Sequence, residues 1–217
     1  PSGATPREVS ARLRRLVIFG AVVTTAASAL GTAFMPYLLV RYPELLLLTS
    51  ADARNLVLIA PQLDFPTALA IALPRRILAM TVTYGLALVF GRAMIAWSVK
   101  KLPRLARIVD GFERLFMRFQ RTLLVVAPAY GTTALAGVTR MDFKTFASFM
   151  ALGQLGYVIV IYYLGEVLSS FTDQIIAFFT AHIWESTAVF VAAVGAWQVV
   201  SYMRRRRAAQ SATVVGA

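Results

Sequence analysis

The chain has no cysteine and one histidine, His182. The first absence excludes disulfides, thiol nucleophiles and cysteine-ligated metals. The second argues against a histidine-built metal centre or a Ser-His-Asp triad within one chain, so neither a metal nor a cofactor is expected. Charge is also scarce. Asp, Glu, Lys and Arg make up 15% of 217 residues, where a soluble domain carries about a quarter. Acid is the rarer sign, with 10 Asp and Glu against 22 Lys and Arg. What is abundant is apolar surface, at 59% of the chain and a mean hydropathy of +0.69. This is the composition of an integral membrane protein.

In a soluble protein the net charge of +12 would point to nucleic acid. Here the basic residues sit in the gaps between apolar runs, where they set membrane topology, and no nucleic-acid partner is expected. Residues 1–15 read as a cytoplasmic basic tail. The run 16–40 is too long for the apolar core of a signal peptide and reads as a first span. Further spans are expected at 77–99, 146–166 and 175–203, with a polar turn at Ser169–Asp173. Within 100–121, Leu102, Leu105, Ile108, Phe112, Leu115 and Phe119 recur at helical spacing among basic residues. That pattern predicts an amphipathic helix lying in the headgroup region. Residues 204–217, opening with Arg204–Arg207, read as a second basic cytoplasmic tail without regular structure.

Two stretches do not fit a plain span. Residues 43–73 are interrupted by Asp52, Arg54, Asn55, Pro61, Asp64 and Pro66, and each central Asp or Arg would cost a membrane helix roughly 2.5–3.5 kcal/mol. Short arms at Leu45–Leu48 and Leu56–Ala60 around the polar tip Thr49–Asn55 suit a re-entrant hairpin instead. Residues 122–138 break at Ala127–Thr133 and fall short of the ~20 apolar residues a span needs, which predicts a second hairpin. Irregular backbone at membrane depth survives only where protein or water surrounds it.

If each hairpin returns to the side it entered, 18 of the 22 basic residues share one side, against Arg41, Arg75 and Arg76 on the other. The positive-inside rule then makes both termini cytoplasmic. The expected fold is an all-α membrane protein, one domain over 16–203, with four transmembrane helices plus two opposed re-entrant hairpins. Two hairpin-plus-span units of opposite orientation form an inverted repeat, an architecture that places substrate near the midplane.

The stretch AGVTRMDFKTFASFMALGQLGYVIVIYYLGE resembles the DedA family, whose domain is also called SNARE-associated or VTT. Gly137, Arg140, Met141, Phe146, Gly153, Gly156, Tyr157 and Gly165 match its pattern. Phe90-Gly91-Arg92 is similar to the ending of the family's earlier span, and PELLLLTSADARN resembles the opening of its first hairpin, particularly in actinobacterial members. The likeness covers roughly residues 43–166. Many bacterial relatives carry arginines on either side of the second hairpin's proline, and this chain has Val125 and Gly131 there. The resemblance implies movement of lipid across a bacterial cytoplasmic membrane. Bacterial members are similar to carriers of polyprenyl phosphate, and eukaryotic relatives to phospholipid scramblases.

The candidate headgroup residues follow. Asp52, Arg54 and Asn55 stand at the first tip, where an intramembrane arginine offers bidentate donors to phosphate. The same three can instead form a structural ion pair. Glu44 and Asp52 are placed against the family's acids and raise proton coupling. Pro128, Tyr130, Thr132 and Thr133 form the second break, whose freed backbone and hydroxyls either bind phosphate or satisfy one another. Arg140 matches the family, and Arg75, Arg76 and Arg121 flank the hairpins, able to attract a headgroup or to snorkel at the interface. On this reading the positive charge at the site comes mainly from Arg54. The protein is expected to be a lipid transporter and not an enzyme, with a membrane lipid as partner and a homodimer left open. Its rivals are an energy-independent scramblase, a lipid phosphatase and a non-transporting assembly factor.

Overall fold

The computed structural model describes residues 11–101 and 104–214, with side chains described for 11–91, 111 and 116–203. The expected basic tail therefore lies mostly outside the described residues, as do the side chains of Arg204–Arg207. The described residues form ten α-helices and no strand. They run α1 Ala11–Ala33, α2 Met35–Arg41, α3 Pro43–Thr49, α4 Ala53–Ile59 and α5 Phe65–Lys101. Then follow α6 Arg104–Val126, α7 Tyr130–Val138, α8 Phe143–Val167, α9 Ser169–Ala181 and α10 Ile183–Val214. Four stretches are long and apolar enough to cross a membrane: Ala11–Ala33, Phe65–Gly91, Phe143–Val167 and Ile183–Met203.

Several expected boundaries move, each for a local reason. The first span ends at Ala33, because Phe34 leaves helical geometry and Pro36 starts α2 within its first turn, where a missing N–H is harmless. The second span starts at Phe65 and not at 77. Asp64 accepts a hydrogen bond from the Thr67 amide at 3.1 Å, a side-chain cap on an otherwise orphaned donor. Arg75 and Arg76 consequently lie inside α5 and not at its end. The expected interfacial helix and the expected first arm of a second hairpin fall on one helix, α6, broken at Phe119 (φ −125°, ψ 24°). The last span is divided at His182 (φ −126°, ψ 44°), and the expected turn at Ser169–Asp173 is the first turn of α9. Helix α10 continues through Arg204–Arg207 to Val214, in place of the expected unstructured tail.

One sequence pattern takes its meaning from the fold. Asp64-Phe65-Pro66-Thr67 opens α5 and Asp142-Phe143-Lys144-Thr145 opens α8, 78 residues later. Asp142 caps α8 as Asp64 caps α5, accepting from the Thr145 amide at 3.1 Å. These hydrogen bonds hold both carboxyls below the usual carboxylate range. Both caps are thus in place at neutral pH and are lost as falling pH protonates the folded carboxyls.

The same offset relates Tyr84 to Tyr162 and Arg76 to Gln154, and the contacts are reciprocal. The Tyr84 hydroxyl donates to the carbonyl of Met141, the residue before one cap, and Tyr162 donates to the carbonyl of Leu63, the residue before the other. Phe143 packs on Tyr84 and Phe65 on Tyr162, at ring-centroid distances of 5.9 and 5.2 Å. The start of each long helix thus meets the far half of the other, so α5 and α8 run antiparallel.

Two short helices pack across the long pair, α7 on α5 and α4 on α8. Without a hydrophobic drive between helices in lipid, such contacts depend on small residues. A Cβ on Gly137 would run into the Tyr84 carbonyl, and one on Gly165 would lie 2.6 Å from the Val57 carbonyl oxygen. Gly153 backs onto the Leu124 carbonyl in the same way, whereas Gly156 faces open space. Of that glycine pair only Gly153 serves close packing.

The reciprocity has a measurable consequence. Tyr84→Phe and Tyr162→Phe each remove one buried hydrogen bond and are expected to lower unfolding free energy by about 1 kcal/mol. Because the two bonds sit at opposite ends of the α5–α8 pair, the double variant should lose the sum, measured by denaturation in detergent micelles. Strong non-additivity would contradict two independent contacts.

Candidate functional site

Arg76 and Gln154 are each the twelfth residue of their helix. At 1.5 Å per residue that is roughly 17 Å from the helix start, about half of a ~30 Å hydrocarbon layer. An arginine at that depth costs roughly 2.5–3.5 kcal/mol or more unless polar groups meet it. They do. Arg76 is 7% exposed; its Nε donates to Gln154 Oε1 at 2.6 Å and its Nη1 to the Ala51 carbonyl at 2.7 Å. Its guanidinium lies 3.9 Å from the centroid of the Tyr157 ring, an attraction strengthened by desolvation. Gln154, fully buried, spends its own amide N–H on the Pro128 carbonyl at 2.9 Å. One chain of hydrogen bonds therefore joins the α3–α4 turn, both long helices and the break between α6 and α7.

Arg75 binds the neighbouring side. Its Nε donates to the Leu48 carbonyl at 3.0 Å, and its Nη2 reaches the Thr49 carbonyl at 2.9 Å and Ser28 Oγ at 3.0 Å. Neither arginine pairs with a carboxylate among the described residues. Arg76 keeps Nη2, and Arg75 keeps Nη1, for further acceptors. Both line a cleft shared with Ser28, Ala51, Asp52, Ala79, Met80 and Tyr130. Its free room is about 10 Å³, enough for about one water molecule.

The sequence-predicted residues divide here. Asp52 and Tyr130 line the cleft, and Asp52 accepts from Ser50 Oγ at 2.8 Å. Asn55 is fully buried and braces the turn between α3 and α4, donating to the Ser50 carbonyl at 2.8 Å. Arg54 is exposed and makes one long contact to Asn55 Oδ1 at 3.4 Å. It does not line the cleft, so the main positive charge there belongs to Arg75 and Arg76 and not to Arg54. Glu44 is exposed in the first turn of α3.

In the second break the threonine hydroxyls are already committed. Thr132 Oγ1 accepts from the Ala129 amide and donates to the Ala127 carbonyl, and Thr133 Oγ1 donates to Met80 Sδ at 3.3 Å. Pro128 contributes the carbonyl that Gln154 occupies. Arg121 sits 5.8 Å from the Phe149 ring, away from the cleft. His182 stacks on Phe178. Arg140 has φ 55° and ends α7 in the left-handed turn usually given to glycine, with the Met141 amide bonded to the Ala136 carbonyl.

Gln154 is the residue that sequence reasoning passes over. A signal for it exists: it is the sole strongly polar side chain between Phe149 and Leu164, and intramembrane polar groups tend to mark function or internal bonding. Its offset from Asp142 equals that of Arg76 from Asp64, and that equality is enough to pair the two.

Gln154→Leu would strip Arg76 Nε of its acceptor and the Pro128 carbonyl of its donor. At ~1–3 kcal/mol per orphaned buried group, unfolding free energy should fall by about 3 kcal/mol. Adding Arg76→Met should restore part of it, since one orphan is removed. By contrast, Arg140→Gly should be neutral or stabilise by about 1 kcal/mol, the left-handed conformation being free for glycine. Both expectations can be read from chemical denaturation in micelles. A harmless Gln154→Leu would remove the argument for the crossing.

Compared with protein-family models, curated proteins and solved structures, the chain has no significant match, so the case for this site stands on its own residues.

Proposed function

We propose that the chain is a membrane lipid transporter whose substrate carries a phosphate, with polyprenyl phosphate the best-suited class. The observation that carries this reading is a pair of arginines without carboxylate partners, one of them at mid-depth of two crossing apolar helices. A buried cation whose hydrogen bonds go to neutral groups favours an anion, and guanidinium forks match phosphate oxygens bidentately. The reciprocal contacts of α5 and α8 support an inverted repeat in which α3–α4 and the α6–α7 break act as opposed re-entrant hairpins. In such repeats substrate binds between broken helices near the midplane. A phosphate is larger than the free room of the cleft, so Asp52 and Tyr130 must swing aside to admit it. The resemblance of residues 43–166 to DedA proteins agrees with this assignment and with a cytoplasmic-membrane location.

Energy-independent scrambling is the second reading, and one observation favours it. Among the described residues Asp52 is the single carboxylate lining the cleft, which leaves one acid there to carry any proton coupling.

Proteoliposomes with labelled prenyl phosphate test both. Arg75→Gln and Arg76→Gln should each reduce transfer about tenfold or more, the size of losing one charge-assisted hydrogen bond, with Arg54→Gln near wild type. Loss of transfer in Arg54→Gln with Arg75→Gln unaffected would overturn the site. Equal movement of phosphatidylcholine, indifferent to a pH gradient, would select scrambling.

A further inference from the structure

A second cavity lies beside the first and is far larger. Between α1 and α10 an open groove of about 830 Å³ is lined by Thr25, Ser28 and Ala29 from one helix and Ala193, Trp197 and Gln198 from the other, among others. Its size falls within the ~300–1,000 Å³ of ligand sites. Its two walls are both candidate membrane spans. The lining is mostly apolar, yet Thr25, Ser28 and Gln198 put polar groups along it. Gln198 has no hydrogen-bond partner among the described residues, an unfavourable position for an amide facing hydrocarbon.

The groove and the cationic cleft meet at Ser28, which lines both. Arg75 Nη2 donates to Ser28 Oγ at 3.0 Å, so the positive charge stands at the junction. The larger volume is mostly apolar, with walls from two span-length helices, and the narrow one is cationic. Their occupant is therefore an anion with a long apolar body. One groove joined to one cleft fits one chain and one phosphate.

We infer that the groove between α1 and α10 seats the hydrocarbon chain of a single-chain lipid monophosphate whose headgroup is held at Arg75 and Arg76. The chain is then not simply left in the bilayer. It is aligned along α1 and α10, and the phosphate reaches the cleft sideways past Ser28 and not from either aqueous face. This rests on the lipid reading above and adds the route by which the lipid arrives.

The test uses the full chain in proteoliposomes and a polyprenyl monophosphate bearing a mid-chain diazirine, with adducts located by mass spectrometry. Two control probes carry the same diazirine: the uncharged prenol and a diacyl phosphatidylcholine. The prenyl phosphate should label residues 25–32 and 190–202 at least about tenfold more than either control, as expected for a charge-assisted contact. Arg75→Gln should remove that excess, and so should Ala193→Phe, which fills the groove from an exposed position and leaves the arginines in place. Equal labelling by prenol or phosphatidylcholine would mean ordinary lipid solvation and would overturn the inference, as would labelling of other helices. The two readings fail separately. Transfer of prenyl phosphate without groove labelling sinks this inference alone, and selective labelling without transfer sinks the transport reading and leaves the binding site standing.

Discussion

The hydrogen bond between Arg76 and Gln154 is the contact on which the rest depends. It joins two antiparallel helices at the twelfth residue of each, where a charge can persist only if fixed dipoles replace its water. The dipoles come from places that ordinary helices lack. Ala51 offers its carbonyl because the chain leaves helical geometry between α3 and α4, and Pro128 offers one because α6 and α7 are separated there. A continuous helix at either place would have spent that carbonyl on itself. The breaks and the buried arginine thus require each other.

The reciprocal contacts show how the arrangement is held. Each Asp-Phe-x-Thr start fixes where a long helix begins, and each tyrosine twenty residues on secures the start of the other. Where the two long helices meet, one carries arginine and the other glutamine. Two arginines would repel across the contact, and two glutamines would leave Arg75 as the one cation lining the cleft among the described residues. One of each gives a neutral acceptor for the cation and keeps part of its fork free.

How much is legible in the sequence follows from what each element depends on. The four span-length helices are legible because length and apolarity decide them. Asp52 and Tyr130 are legible as tip residues because polar groups inside an apolar stretch stand out. The start of α5 is misplaced from sequence because Arg75 and Arg76 read as a helix end under the positive-inside rule, which outweighs the cap at Asp64. Thr132 and Thr133 suggest ligand binding, but they satisfy the broken backbone and Met80, which only packing reveals. That Arg54 lies outside the cleft is not legible for the same reason: proximity in sequence to the tip does not say which way a side chain leaves the helix. Gln154 escapes notice because one amide in an apolar run carries little weight until its partner across the crossing is known.

The account stands or falls on where a lipid phosphate sits. Cryo-electron microscopy of the protein in nanodiscs containing prenyl phosphate would show it directly. The expected result is phosphate density within hydrogen-bonding distance of Arg75 and Arg76, between residues 50–52 and 128–130, with Tyr130 displaced. Phosphate held only at the interface beside Arg54 or Arg121, with Arg76 still closed on Gln154 and Ala51, would contradict it.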